Sequence, residues 1–138
     1  MEKIIKKIKA GKILKKEEQL ALLELPERAK LLKLYMSHWW LNDAVQVRML
    51  ELPEAKVLLK VFLRSHFGYL CEKAQLKMLE HPQRMDLLKM YFQQWSFCKE
   101  LQLKMLELPD GRAFFDVYRK KWVLSDETEA KARELGWL

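Results

Sequence analysis

Glycine and proline are scarce, with four of each in 138 residues. That excludes collagen-like and linker-like material. Only two cysteines occur, Cys71 and Cys98. They are too few for a disulfide framework, so a reducing, cytoplasmic setting is expected. Long hydrophobic runs are missing too. No uncharged run exceeds nine residues, as in Leu34 to Asn42, whereas a membrane-spanning helix needs about 20 apolar residues. Acids are nearly absent from residues 1–16, where Glu2 stands against seven lysines. The remaining 19 basic and 18 acidic residues almost cancel. The formal charge of +7 and the pI near 9.4 therefore belong to one end of the chain, which excludes a uniformly basic nucleic-acid surface. No secretory signal is expected there, because Ile4, Ile5 and Ile8 are interleaved with lysines and no apolar core follows. Alternating β-branched runs, the mark of strands, are also missing.

What is present is a hydrophobic half and a charged third, enough to bury the core of one domain. The organisation is repetitive. Pro26, Pro53, Pro82 and Pro109 are spaced 27, 29 and 27 residues apart. Leu22 to Leu25, Met49 to Leu52, Met78 to His81 and Met105 to Leu108 precede them. Leu31-Leu32, Leu58-Leu59, Leu87-Leu88 and Phe114-Phe115 follow, each with an aromatic four residues on: Tyr35, Phe62, Tyr91 and Tyr118. The two-residue excess of the second repeat falls around His66 to Tyr69. The phase gives a half-repeat at 1–13, repeats at about 14–40, 41–69, 70–96 and 97–123, and a C-terminal capping helix at 124–138.

Each repeat reads as two short helices. The A helices are expected over about 15–25, 42–52, 71–81, 98–108 and 125–135. The B helices are expected over 2–11, 26–39, 53–66, 82–95 and 109–122. Proline suits the first turn of B and ends the preceding A, while Asn42 and Ser125 are good N-caps. Helices this short are marginal alone and need neighbours. B is apolar at 31, 32, 34, 35, 36 and 39 and polar at 30, 33 and 37, a wide buried face with a narrow wet stripe. The expected fold is thus all-α, an α-solenoid of about five short helix pairs. Its ends turn polar: Arg119 replaces Met36, Leu63 and Phe92, Arg133 replaces Leu106, and Lys7 and Lys9 fall in the Leu34 and Met36 columns. Stacked repeats need such caps. The N-terminal lysines read first as a cap, then as an anionic partner site or a membrane-surface contact.

The alternating short helices resemble the HEAT and armadillo class of α-solenoids, with a shorter period. Glu72 to Glu80 and Leu87 to Tyr91 resemble short helical repeats of uncharacterised bacterial proteins. That resemblance implies a fold and a bacterial source, and it transfers no functional residues.

Catalytic and metal-ligating patterns are thin. His38, His66 and His81 lack the i,i+4 spacing of a helical zinc site, and no glycine-rich phosphate loop exists. No catalytic residue, metal or cofactor is assigned. Cys71 and Cys98 share the start of helix A, where a lowered thiol pKa is one reading and a tolerated small side chain the plainer one. Two ladders stand out. Lys6, Lys33, Lys60 and Lys89 recur in B, and Gln46, Gln75 and Gln102 recur in A, with Gln19 before them. Arg48, Lys77, Lys104 and Lys131 each precede a glutamate by three residues, which reads as helix support. Trp39, Trp95 and Trp122 share a column read as packing under the loop, whereas Trp40 follows the helix end and is the exposed aromatic candidate. The expected function is a non-enzymatic scaffold for protein–protein interaction. The lysine and glutamine rows would meet a partner of acidic or mixed charge. Nucleic acid, through the N-terminal lysines and the B-helix row, is the alternative.

Overall fold

The computed structural model describes residues 2–138. Among the described residues every regular element is helical and there is no strand. The α-helices are α1 (Glu2–Lys9), α2 (Lys16–Leu22), α3 (Arg28–Tyr35), α4 (Asp43–Glu51), α5 (Ala55–Leu63), α6 (Glu72–Lys77), α7 (Arg84–Phe92), α8 (Lys99–Met105), α9 (Gly111–Lys121) and α10 (Asp126–Glu134). A 3-10 turn, Met78–Glu80, prolongs α6. Odd-numbered helices are the B helices of the repeat and even-numbered ones the A helices. None is long and apolar enough to cross a membrane.

The helices are shorter than the repeat predicts, and the prolines show why. Leu25 O accepts from Arg28 N at 3.1 Å, Leu52 O from Ala55 N at 3.0 Å, His81 O from Arg84 N at 3.0 Å, and Leu108 O from Gly111 N at 2.8 Å. Each proline is thus the second residue of a four-residue turn leading into B, the place where its fixed φ fits best. Glu27, Glu54 and Asp110 complete those turns with φ between −98° and −90° and ψ between 23° and 30°, close to the third position of a type I turn. Proline therefore stands just outside the helix that the sequence places it in. At the other end of B, the Ser37 and Ser65 hydroxyls donate to the Leu34 and Phe62 carbonyls, at 2.6 and 2.7 Å. Such local bonds compete with continuation of the helix. Two expected caps form: Asn42 Oδ1 accepts from Ala44 N at 2.9 Å, and Ser125 Oγ from Thr128 N at 3.2 Å.

Two compact units divide the chain, Met1–Met90 and Tyr91–Leu138. In the first, α2 packs on α4 and α4 on α6, while α1 packs on α3 and α3 on α5. The two rows close on each other through α2 with α3 and α4 with α5. Their interior holds Leu22, Leu32, Met36, Val45, Met49, Leu58, Leu59 and Phe62, all fully buried. Each such side chain contributes on the order of 1.5–3 kcal/mol by leaving water. In the second unit α8 packs on α9 and α10. Its core is aromatic: Phe97 stacks on Tyr118 with ring centroids 4.8 Å apart, and Phe92 meets Phe114 edge-on at 5.3 Å.

The two-residue excess lies in the loop between α5 and α6. There Gly68 is buried, and a Cβ added to it would sit 2.7 Å from Phe62 O and 3.0 Å from Leu63 Cα. The longer loop folds back so tightly on the end of α5 that only glycine fits.

Candidate docking surface

The glutamine row is inside the fold. Gln19, Gln46, Gln75 and Gln102 are all buried. Each Nε2 donates at 3.0 Å to the carbonyl five residues earlier, which belongs to Leu14, Leu41, Leu70 and Phe97 respectively. The carboxamide oxygen reaches the other way. Asn42 N donates to Gln19 Oε1 at 2.9 Å, Cys71 N to Gln46 Oε1 at 2.8 Å, and Ser125 N to Gln102 Oε1 at 2.9 Å. The acceptor carbonyl lies in the loop entering the glutamine's own A helix, and the donor N–H starts the next A helix. Both are backbone groups that helix ends leave unpaired. The expectation that Gln46, Gln75 and Gln102 face a partner is therefore corrected. The amides of Gln46 and Gln102 tie one repeat to the next, and that of Gln75 is bonded to Leu70 O.

The tyrosine column works similarly. Tyr35 Oη accepts from Leu14 N at 3.1 Å and Tyr118 Oη from Phe97 N at 2.9 Å. Burial pushes Tyr118 up to about 12 and raises Tyr35 as well. The tryptophan column also serves the backbone: Trp39 Nε1 donates to Gly11 O at 3.1 Å and Trp122 Nε1 to Phe92 O at 2.6 Å. His81 replaces a column leucine and is buried, with Nε2 3.1 Å from Leu52 O and Nδ1 accepting from Gln83 N at 3.0 Å. Cys71 and Cys98 stand at the starts of α6 and α8, and Cys71 is a free thiol. Burial raises the Cys71 thiol, the opposite of a helix-activated thiolate. Among the described residues no cluster of His, Cys, Asp and Glu could hold a metal ion.

The lysine row is outside. Lys6, Lys33, Lys60 and Lys89 are all exposed, and none has a carboxylate partner among the described residues. Lys6, Lys33 and Lys60 stand on α1, α3 and α5, which pack in succession, so the fold brings these three onto one face. Four cations of the A helices differ. Arg48 pairs with Glu51 at 4.0 Å, Lys77 with Glu80 at 3.1 Å and with Glu51 at 3.4 Å, Lys104 with Glu107 at 3.8 Å, and Lys131 with Glu134 at 3.5 Å. Glu80, with Glu51 beside it, holds the Lys77 ammonium above its ordinary pKa. At the N-terminus Lys7 pairs with Glu18 at 2.7 Å, and this bond lowers Glu18. The other six N-terminal lysines are exposed.

Trp40 is 63% exposed and meets Phe67 edge-on at 5.7 Å. Ile13 and Tyr69, at the equivalent loop position of neighbouring repeats, are 60% and 51% exposed. This apolar column was passed over in the sequence, although the phase that places Trp40 also places Ile13 and Tyr69. No family model, curated protein or solved structure matches the chain.

Proposed function

We propose that the chain is a non-enzymatic, cytoplasmic scaffold, a HEAT-like α-solenoid built on its four-fold repeat, whose B-helix face docks an acidic protein segment. One observation carries the reading. Arg48, Lys77, Lys104 and Lys131 on the A helices are each paired with a glutamate three residues on, and Lys6, Lys33, Lys60 and Lys89 on the B helices have no carboxylate partner among the described residues. An unpaired row of like charge raises the local potential and steers an oppositely charged partner. Row-on-row packing of α1, α3 and α5 supports an extended surface rather than a pocket. Trp40 adds an exposed aromatic at a loop.

The test is charge reversal at Lys33, Lys60 and Lys89 together, read by binding of an acidic polypeptide such as polyglutamate. Binding is expected to be lost while the far-ultraviolet dichroism stays unchanged. Undiminished binding removes the row from consideration. The exposed N-terminal lysines favour one second reading, contact with nucleic acid. That reading requires a mobility shift with duplex or single strands that weakens steeply with salt.

A further inference from the structure

We infer that the segment taken by this face is a left-handed extended chain of the polyproline II type, with a carboxylate at every third residue. The inference rests on the lysine-row reading above and adds a register to it. Lys6, Lys33 and Lys60 occupy equivalent places on α1, α3 and α5, and those helices pack side by side. Packed helices lie about 8–10 Å apart, so successive ammonium groups recur at roughly that interval.

Three ligand backbones can be measured against that interval. A β-strand turns residues three apart to opposite faces, so its same-face carboxylates recur at about 6.6 or 13 Å, which misses the lysines. An α-helix returns to one face after seven residues, about 10.5 Å, and drifts about 20° with each return. Polyproline II has three residues per turn and about 3.1 Å rise, so every third side chain faces the same way at about 9.3 Å. Only the last keeps both spacing and facing. Charged, unfolded chains already populate that conformation, so ordering it costs little.

The experiment uses the full chain and labelled peptides of about fifteen residues with three glutamates each, followed by fluorescence anisotropy at low salt. One proline-containing peptide spaces the glutamates by three, and a second of the same composition makes them contiguous. A third, alanine-rich and helical, spaces them by seven. The three-spaced peptide is expected to bind on the order of tenfold more tightly than either, from several modest ion pairs made at once. K33E/K60E is expected to erase that difference, and the Lys33→Arg/Lys60→Arg variant to retain it. Equal affinity for all three peptides, lost from all three in K33E/K60E, overturns the register and leaves the docking reading standing. Binding that K33E/K60E does not weaken, or no binding at all, overturns both. Tighter binding of a single-stranded oligonucleotide through the same lysines overturns the peptide assignment.

Discussion

Gln46 is the residue whose sequence and structure disagree most. A polar residue recurring in a helix reads as solvent-facing. Yet three and four residues after it come Met49 and Leu50, both buried. That neighbourhood was the available signal, because residues so spaced share a helix face. What the sequence could not show is the partner. Leu41 O and Cys71 N, five residues before and 25 after, become a matching pair only when the repeats pack. Gln46→Leu keeps the volume and strands both groups, at about 1–3 kcal/mol each. Urea unfolding should show a lower midpoint with an unchanged slope. Tyr118 gives a second prediction. Its folded pKa of about 12 lies above the ordinary value of 10.0, so the folded state holds a proton that the unfolded state releases. Stability is then full below pH 10 and falls as pH rises from about 10 to 12. Tyr118→Phe should flatten that fall in urea midpoints measured across the range. It should also lower stability at neutral pH, where Phe97 N loses its acceptor.

At the scale of elements, order and phase were legible and boundaries were not. Among the described residues the proline spacing and the apolar pairs placed each α-helix, and Asn42 and Ser125 cap α4 and α10 as expected. The i,i+3 pairs of the A helices are also where the spacing put them. The overestimate of helix length comes from reading proline as the first helical residue. The backbone makes it the second residue of a turn instead. The extra residues around His66 to Tyr69 could be located in the sequence, but not their geometry. Gly68→Ala tests that geometry. With backbone atoms 2.7 and 3.0 Å from the new Cβ, no flexible side chain can give way. A loss of about 1–3 kcal/mol is expected, the usual cost of forcing extra volume into a packed site. A thermal melt should register it, and Glu72→Ala, exposed in the neighbouring helix, should leave the melt nearly unmoved.

For the whole molecule, the arrangement of charge matters more than its sum. Reversing Lys33, Lys60 and Lys89 lowers the formal charge of +7 by six. Reversing Lys77, Lys104 and Lys131 lowers it by the same amount. If only net charge governed association with polyanions, the two variants would elute alike from a polyglutamate column. The proposed docking face predicts that the first loses retention and the second keeps most of it, because its cations are already matched by glutamates. The glutamine tie has a separate consequence for how such a chain can change length. The copies of Gln19, Gln46 and Gln102 each bring a plug, a carboxamide reaching forward, and the copy that follows offers a socket, the N–H that opens its A helix. A duplicated copy spliced in at the repeat boundary would arrive with both, and could join the row without any compensating change in its neighbours.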